Sequence, residues 1–357
     1  MKTIGILTSG GDCPGLNAVI RGVVRAADTL GWKVLGFRNG FEGLLRPGDY
    51  VELDRSSTAG IMHLGGTILG TTNRGHFVSK VRGGDKAEID PDILDEASRT
   101  LKSLHVDALI VVGGDGSLTT AHQFYRAGFP VIGVPKTIDN DLEATAMTFG
   151  FDSAVACVAD ALDRLHTTAT SHRRVMVLEV MGRHAGWIAL YGGLAGGGDV
   201  ILIPEIPFDY DNIARAIQKR EEEGCLSHMI VVAEGAVPKD GRPVLQETPS
   251  GEFRLGGVGD LITREISKRT RKETRTCVLG HLQRGGAPTT LDRILGTRFG
   301  VAAVDFISKE KFGSMVSYQN YQVLDVPIAT AVHRIRKVPV DSQMIATARA
   351  IGISFGD

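Results

Sequence analysis

The chain has 357 residues, of which 43% are apolar and 23% charged, a composition typical of a globular protein long enough for two packed domains. Its formal net charge of −1 argues against a broad basic surface for nucleic acid or anionic lipid. The 45 glycines exceed the usual share of about 7%, which predicts many tight turns and close approaches of backbone to ligand.

Export and membrane insertion are not expected for this sequence. The first three residues lead directly into an apolar strand, and no stretch approaches the ~18 uninterrupted apolar residues of a membrane span. The four cysteines lie in apolar segments without CxxC spacing, which predicts buried thiols in a reducing compartment: Cys13, Cys157, Cys225 and Cys277. We therefore expect a cytoplasmic protein that binds neither membrane nor nucleic acid.

Short apolar strands alternate with helical patterns along most of the chain. Residues 4–8 are a predicted buried strand, a glycine turn follows at residues 9–12, and apolar residues then recur at helical spacing from Leu16 to Ala27. The other main elements are predicted strands from residue 34 and at residues 108–112, 131–134, 175–180, 200–203, 229–233 and 276–279, and a helix at residues 152–165. Continuous apolar strands joined by helices indicate an α/β fold with mainly parallel sheets, covered by helices on both faces.

A glycine-rich loop, residues 113–117, follows the strand at residues 108–112. Ligands of parallel α/β proteins bind beyond the carboxyl ends of strands, so this loop is a candidate site. Glycines let backbone approach phosphates, and N–H groups at a helix start favour anions. Asp115 is suited to hold Mg²⁺, which bridges phosphate oxygens. Similar loops occur in NAD kinases and lipid kinases, and a strand-to-helix turn without ligand is the structural alternative.

The segment after the next strand, residues 135–141, combines a lysine with two carboxylates. Asp139 or Asp141 could accept the proton of an alcohol as its oxygen attacks, while Lys136 offsets the charge of a phosphate donor. A turn in which the Asp and Asn side chains cap their own backbone explains the same residues equally well.

Three further segments gather arginine and histidine at strand ends: residues 171–174, 181–186 and 280–286. The guanidinium fork matches phosphate oxygens in a fixed geometry, which suits a sugar phosphate. Each of these residues alone is more often a surface charge or a structural hydrogen-bonding group. Their repeated occurrence at strand ends favours a ligand site.

In this order, the segments resemble the phosphofructokinase family. The resemblance covers residues 4 to about 303 and is carried by residues 8–12, 65–67, 113–117, 135–141, 181–183 and 280–286. It implies two Rossmann-like lobes. Residues 1–150 with about 283–333 would bind ATP and Mg²⁺, and residues 151–282 with about 334–357 would bind fructose 6-phosphate.

The resemblance implies a 6-phosphofructokinase of glycolysis, which transfers the γ-phosphoryl group of ATP to the 1-hydroxyl of fructose 6-phosphate. Asp139 would be the general base, supported by Asp141, and Asp115 would bind Mg²⁺. The remaining catalytic residues would be Lys136, Thr137 and Arg183, and the remaining donor residues Gly11, Arg74, Gly114, Gly116 and Ser117. The sugar would be held by Thr137, Asp139, Met181, Gly182, Arg183, Glu234, His281 and Arg284.

The family pattern also implies an assembly. Arg174 and Arg275 match arginines that members supply from a neighbouring subunit, so the resemblance implies a homotetramer or homodimer with shared active sites. Arg21, Arg25 and Arg55 match part of an effector site. Because His166, Glu223 and Cys225 stand where basic residues would be expected, the usual effector response is not predicted. No role is predicted for residues 235–257 or for the tail after Arg334.

The phosphoryl donor is the main alternative. Gly116 leaves room for the α-phosphate of a nucleotide where pyrophosphate-dependent relatives carry Asp, which favours ATP. Lys136 resembles the lysine with which those relatives contact their donor, so a pyrophosphate-dependent phosphofructokinase is the second hypothesis. A non-catalytic nucleotide sensor is a remote third, disfavoured by the presence of Asp115 and Asp139. A dinucleotide-dependent oxidoreductase is also disfavoured, because residues 8–15 do not fit GxGxxG.

Overall fold

The computed structural model describes residues 1–77, 88–239, 241, 244–247 and 253–357. The strands of these residues are β1 Thr3–Thr8, β2 Lys33–Phe37, β3 Tyr50–Leu53, β4 Ala108–Gly113, β5 Val131–Thr137, β6 Phe149–Gly150, β7 Val175–Val180, β8 Val200–Leu202, β9 His228–Ala233, β10 Leu245–Glu247, β11 Phe253–Leu255, β12 Thr274–Val278, β13 Ser314–Gln319 and β14 Gln322–Pro327. The α-helices are α1 Leu16–Thr29, α2 Pro91–Ser103, α3 Asp115–Arg126, α4 Phe151–His172, α5 Trp187–Ala195, α6 Tyr210–Glu222, α7 Val258–Thr270, α8 Thr290–Ser308, α9 Ile328–Ala331 and α10 Gln343–Ala350. Short 3₁₀ turns lie at Gly40–Leu44, Ile61–His63 and Gly280–Arg284.

The chain folds into two compact units, each assembled from three separate stretches of sequence. The first unit comprises Met1–Ile138, Leu142–Ser153 and Arg284–Arg334. The second comprises Asp139–Asp141, Ala154–Gln283 and Ile335–Asp357. The short segment Asp139–Asp141 therefore belongs to the second unit, although the residues on either side of it belong to the first.

The first unit is built on one sheet with the strand order β14-β13-β5-β4-β1-β2-β3, and β6 pairs with β5. The strands from β13 to β2 are parallel, and the edge strands β3 and β14 are antiparallel to their neighbours. Successive strands from β1 continue towards β3, whereas β4 and β5 lie on the other side of β1. Such a reversal of strand order leaves a crevice at the carboxyl edge, between the turns that follow β1 and β4.

The second unit is built on a parallel sheet with the order β12-β7-β9-β8. The antiparallel pair β10–β11 lies apart from it, in the described part of residues 235–257; the rest of that segment lies outside the described residues. The predicted α/β class with mainly parallel sheets is confirmed. The sequence analysis did not predict β3, β13 or β14, because none of them has a continuous apolar run. β3 and β14 are edge strands, whereas β13 lies between β14 and β5.

Each unit has its own apolar core. In the first unit, Phe124 of helix α3 stacks with Phe41 and Phe77, and the ring centres of the three pairs are 5.4 to 6.1 Å apart. In the second unit, Val177, Ile230 and neighbouring strand residues pack on α6 and α7. Complete burial of one such side chain contributes roughly 1.5–3 kcal/mol, so these cores fix the strands whose ends carry the candidate site.

Close packing of α1 on α8 requires glycine. A Cβ added at Gly300 would lie 2.4 Å from the carbonyl oxygen of Val19, and one at Gly22 would lie 2.7 Å from that of Thr297. Real Cβ atoms do not come that close to a backbone oxygen, so only glycine permits the contact. The contact fixes α1, and with it the turn that precedes α1.

The amino ends of α4 and α8 cap each other through a buried carboxylate. Asp292 Oδ2 accepts hydrogen bonds from the backbone N–H of Ser153 at 2.8 Å and from its hydroxyl at 2.6 Å. The backbone N–H of Thr289 in turn donates to Ser153 Oγ at 3.0 Å. Asp292 is fully buried, and this burial raises the pKa of its carboxyl from 3.8 to about 6, although both bonds from Ser153 oppose the shift.

Replacement of this carboxylate should change how stability depends on pH. Because the pKa of Asp292 is higher in the folded chain than in the unfolded chain, folding takes up a proton between about pH 4 and about pH 6. The contribution of Asp292 to the free energy of unfolding is therefore fully present below pH 4 and is lost as the pH rises to 6. Two pKa units correspond to about 3 kcal/mol at most.

Asp292→Asn keeps an oxygen that can accept the hydrogen bonds of Ser153 but cannot ionise. As the pH rises from about 4 to about 6, we expect the free energy of unfolding of this variant to fall less than that of the wild type. Urea unfolding at closely spaced pH values measures the difference. Asp95→Asn, at an exposed position, is the matched control and should follow the wild type. Identical pH dependence of the wild type and Asp292→Asn would contradict the assignment.

Candidate active site

The glycine turn after β1 lies against the end of β5. The buried Lys136 donates a hydrogen bond from Nζ to the carbonyl oxygen of Gly11. Gly10 has a φ of 83°, and a Cβ there would lie 3.3 Å from Ser117 Oγ and 3.5 Å from Lys136 Nζ. Gly11 and Ser117, which were predicted to bind the donor, and Lys136, which was predicted to be catalytic, are therefore brought together from three strand ends of the first unit.

The loop after β4 is held in place by close packing around Ser117. A Cβ at Gly113 would lie only 2.3 Å from the Cβ of Ser117, so no larger residue fits there. Helix α3 begins at Asp115, directly after the extended residue Gly114. The first turn of a helix presents backbone N–H groups that have no partner inside the helix, and its dipole favours negative charge. Gly114, Asp115, Gly116 and Ser117 thus form a surface suited to phosphate.

Arg284 also lies at the glycine turn. Its Nη1 donates to the carbonyl oxygen of Asp12 at 3.1 Å, and a Cβ at Gly11 would lie 2.8 Å from the same nitrogen. Arg284 therefore belongs to the first unit, beside the residues expected to hold the donor phosphates. Its predicted role as a sugar ligand stays a prediction.

A cavity of about 430 Å³ opens beside the same turn and is lined by Asn39, Glu42, Arg46, Thr71, Thr72, Arg74 and Gly75. Thr71 Oγ1 donates to the carbonyl oxygen of Gly10 at 2.6 Å, and Gly10 N–H donates to the carbonyl oxygen of Thr72 at 3.1 Å. These bonds join the cavity wall to the turn. Its volume and its mixture of guanidinium, hydroxyl and carboxylate groups suit part of a nucleotide, as predicted for Arg74.

In the second unit, the segments after β7 and β9 interlock through their backbones. Glu234 N–H donates to the carbonyl oxygen of Val180 at 2.9 Å, and Gly235 N–H donates to that of Gly182 at 3.1 Å. A Cβ at Gly235 would lie 2.2 Å from the carbonyl oxygen of Arg183. Four predicted sugar ligands are therefore brought together: Met181, Gly182, Arg183 and Glu234.

Gln283 connects this cluster to the turn that carries His281. Its side-chain oxygen accepts a hydrogen bond from the N–H of Met181 at 3.3 Å, and its amide nitrogen donates to the carbonyl oxygen of Gly280 at 3.0 Å. Gln283 is only 1% exposed, whereas His281 is exposed. The sequence prediction omitted Gln283; its place between His281 and Arg284 in a recognised motif was the available signal.

The candidate base lies in a short, irregular segment. Asp139 and Asp141 are half-buried, and Asn140 between them is buried with a φ of 50°, in the left-handed region that Asn tolerates better than most residues. The carbonyl oxygen of Asp141 accepts a hydrogen bond from the N–H of Arg336 at 2.8 Å. Thr137 is the last residue of β5 and accepts a hydrogen bond from Thr148 at its carbonyl oxygen.

Arg174 and Arg275 meet on one carboxylate. Glu273 Oε1 lies 2.7 Å from Arg174 Nη2 and 2.6 Å from Arg275 Nη2. The hydrogen bond from Arg174 chiefly lowers the pKa of Glu273, with smaller contributions from the charges of Arg174, Arg275 and His172. The two guanidinium groups are therefore gathered in one place.

This arginine pair lies at the wrong end of the sheet to join Met181 within one chain. Arg174 precedes β7, and Arg275 pairs with Met176 near the start of the same strand, whereas Met181 follows the end of β7. At about 3.3 Å per residue, the six-residue strand separates the two ends by roughly 20 Å. The fold of the second unit thus does not bring Arg174 and Arg275 to Met181, Gly182 and Arg183.

Asp115 is a single candidate metal ligand. Within the described part of the chain, no group of three or more His, Cys, Asp or Glu side chains is arranged to hold a metal ion by itself. Mg²⁺ commonly uses one or two carboxylates together with substrate phosphates, so one carboxylate beside a phosphate loop fits that ion.

None of the helices among the described residues is both long and apolar enough to span a bilayer.

Comparison with known proteins identifies the family of this chain. The phosphofructokinase family model matches residues 3–307. A protein of Chloroflexus aurantiacus named ATP-dependent 6-phosphofructokinase is 50% identical over 356 residues, covering 100% of this chain and 98% of the relative. A protein of Amycolatopsis methanolica named pyrophosphate–fructose 6-phosphate 1-phosphotransferase is 48% identical over 340 residues, covering 94% of this chain and 96% of the relative.

Solved structures agree with this assignment. Phosphofructokinase from Saccharomyces cerevisiae matches with a TM-score of 0.82 and 30% identity over 100% of this chain, which spans about half (48%) of the yeast chain. The similarity therefore extends through both units and through every strand-end motif described above. The chain belongs to the phosphofructokinase family.

Proposed function

We propose that this chain is an ATP-dependent 6-phosphofructokinase, a glycolytic kinase that converts fructose 6-phosphate and ATP to fructose 1,6-bisphosphate and ADP. The observation that carries the proposal is the meeting of Gly10, Gly11, Lys136 and Ser117 at three strand ends of the first unit. Such a concave surface of backbone, hydroxyl and ammonium groups matches a polyphosphate. The name of the Chloroflexus relative supports the same activity.

The first unit would hold the phosphoryl donor. The triphosphate lies along the glycine turn and the first turn of α3, with Lys136 and Arg284 offsetting its charge. The nucleoside extends towards the cavity that Arg74 lines. Asp115 would hold Mg²⁺, which would supply positive charge against the donor phosphates. Residues of this unit thus orient the γ-phosphoryl group and stabilise the charge that it carries.

The second unit would hold the sugar and the base. Met181, Gly182, Arg183, Glu234 and His281 bind fructose 6-phosphate and orient its 1-hydroxyl. Asp139 accepts the proton of that hydroxyl as the oxygen attacks the γ-phosphorus, supported by Asp141. Thr137, at the end of β5 in the first unit, precedes the base by two residues and supports it as well. Phosphoryl transfer needs positioning, charge neutralisation and a proton acceptor rather than covalent chemistry by the protein, and each need has a candidate residue.

Replacement of the proposed base gives a direct test of this mechanism. We expect Asp139→Ser to lower kcat by roughly 10²–10⁴-fold, the usual contribution of a positioned general base, because serine cannot accept the proton at neutral pH. The dissociation constant of fructose 6-phosphate should change little. Asp163→Ser, at an exposed position of α4, is the control and should keep wild-type turnover. Near-normal turnover by Asp139→Ser would exclude Asp139 as the base.

Pyrophosphate is the second candidate donor. The buried position of Lys136 on the Gly11 carbonyl would place an ammonium group against any donor phosphate, and the Amycolatopsis relative is named for pyrophosphate. Gly116 favours ATP, because a carboxylate at the start of α3 would crowd and repel the α-phosphate of a nucleotide.

An assay of fructose 1,6-bisphosphate formation with Mg²⁺ and either ATP or pyrophosphate separates the two donors. We expect turnover with ATP, and we expect Gly116→Asp to lose most of this activity through repulsion of the nucleotide. Turnover of the wild type with pyrophosphate alone would reverse the choice of donor. Absence of product with both donors would refute the proposed function.

We further propose that two copies share each active site in a homodimer or homotetramer. Arg174 and Arg275 lie at the opposite end of β7 from Met181, so their guanidinium groups would serve the sugar phosphate of a neighbouring copy. The four cysteines are free thiols, in keeping with the proposed cytoplasmic location. The prediction that all four are buried is wrong, because only Cys13 is buried, whereas Cys157, Cys225 and Cys277 are partly exposed.

Mixed assemblies test this arrangement. Asp139→Ser and Arg174→Ala should each be nearly inactive alone. When the two variants are unfolded and refolded together, some sites combine an intact Asp139 from one chain with an intact Arg174 from the other. We expect activity above that of either variant refolded separately. If the mixture stays at the level of its components, Arg174 does not act across a subunit boundary.

A further inference from the structure

The segment that follows Arg334 packs, within the second unit, on two segments that the proposed function uses. These are the segment Asp139–Asp141 and the loop of residues 181–186 between β7 and α5. The segment is thus more than a terminal extension, because its contacts reach both the base and the sugar ligands.

Arg336 makes the central contacts. Its backbone N–H donates to the carbonyl oxygen of Asp141 at 2.8 Å, and its own carbonyl oxygen accepts a hydrogen bond from Trp187 Nε1 at 3.0 Å. Its guanidinium carbon lies 4.6 Å from the centre of the Trp187 ring, a distance typical of a cation–π contact. Trp187, the first residue of α5, is only 5% exposed. One residue therefore connects Asp141 to the end of the sugar loop.

A second connection lies two residues further along. The backbone N–H of Val338 donates to Glu205 Oε1 at 2.8 Å, and the carboxylate of Glu205 also accepts from the N–H of Gly186 at 3.1 Å. A Cβ at Gly186 would lie 2.4 Å from the Cβ of Ile203, so the end of the loop has little room to move. Burial raises the pKa of Glu205, partly offset by the N–H groups of Val338 and Gly186.

The far end of the segment is also anchored. Ile201 N–H donates to the carbonyl oxygen of Ser354 at 2.9 Å, and Ser354 N–H donates to that of Asp199 at 3.0 Å. These bonds add the last residues of the chain to the edge strand β8. Because both of its ends are tied to the second unit, the segment can resist displacement of the residues that it contacts.

The Asp139–Asp141 segment needs such support. Asn140 is held in the left-handed region, and the segment is a short excursion between two stretches of the first unit. A general base must lie within hydrogen-bonding distance of the proton that it accepts, and a shift of about 1 Å can lower the rate about 10²-fold. Rigid contacts to the backbone next to the base therefore bear directly on the rate.

We propose that Arg336 is a positioning residue of the kinase, which fixes the backbone of the Asp139–Asp141 segment relative to the loop of residues 181–186 by stacking on and hydrogen bonding to Trp187. The inference rests on the proposed function, since it takes Asp139 as the base and the loop as part of the sugar site. This role for the segment after Arg334 does not depend on which phosphoryl donor is used or on how subunits assemble.

Substitutions of Trp187 and Arg336 test the proposal. Trp187→Phe removes the indole N–H from the Arg336 carbonyl but keeps an aromatic ring, and Arg336→Lys keeps the charge but loses the planar stacking group. We expect both to lower kcat roughly 5- to 50-fold, with Arg336→Ala lower than Arg336→Lys. The KM for the phosphoryl donor should stay within about twofold, because the donor residues belong to the first unit.

The chain offers a matched control for each substitution. Trp32→Phe changes the other tryptophan, over which Lys2 Nζ lies at 5.3 Å. Arg349→Lys changes an arginine stacked on Phe355 at 4.9 Å in the same tail. Both controls should keep wild-type kcat. A purely structural role would lower the thermal unfolding temperature but leave the kcat of fully folded protein unchanged at a lower temperature.

The outcomes separate this inference from the proposed function. If the wild type makes fructose 1,6-bisphosphate but Trp187→Phe and Arg336→Lys match their controls, the positioning role is wrong and the proposed function stands. If the wild type makes none with either donor, both fail. Should Trp187→Phe not fold, the kcat of Arg336→Lys relative to Arg349→Lys decides the question alone.

Discussion

Close approach of strand-end loops is the constraint on which the rest of this structure depends. At the carboxyl edge of the first sheet, Ser117 packs where a side chain at Gly113 would stand, and the buried Lys136 lies against Gly10 and Gly11. A buried ammonium group is tolerated only when hydrogen-bonded, and the Gly11 carbonyl meets part of that need. Glycine therefore serves packing here, since the lack of a Cβ admits the neighbouring loops, and the same lack supports the proposed recognition of phosphate by backbone N–H groups.

The second unit satisfies the same constraint with hydrogen bonds between backbones. Gly182 and Gly235 join the segments after β7 and β9, and Gln283 extends the connection to the turn that bears His281. Removal of the Gln283 amide would take a hydrogen-bond partner from two part-buried backbone groups, the N–H of Met181 and the carbonyl oxygen of Gly280. Arg336 completes this network from the tail. The proposed sugar ligands thus lie on a backbone framework whose parts come from distant regions of the chain.

Charge in the second unit is distributed between two edges of one sheet. At the carboxyl ends lie Arg183 and Glu234, and at the amino ends Arg174 and Arg275 share Glu273. Two guanidinium groups around one carboxylate retain a net positive charge, which suits an anionic group such as a phosphate. The length of β7 separates these edges, and this separation is the physical basis of the proposal that a second copy completes the active site.

Local chemistry determined what the sequence alone could predict. Apolar runs that alternate with segments of helical periodicity predicted the α/β class. The glycines, carboxylates and arginines at strand ends indicated the family, because each motif is contiguous in the chain. The helix predicted at residues 152–165 nevertheless extends to His172. β13 and β14 were not predicted, because they are stabilised by pairing with neighbouring strands rather than marked by a continuous apolar run. Only the tertiary structure decided that Lys136 bonds to Gly11, that Gln283 supports Met181 and that Arg336 joins Asp141 to Trp187. Those contacts link residues far apart in sequence, and no local pattern encodes which of them will meet.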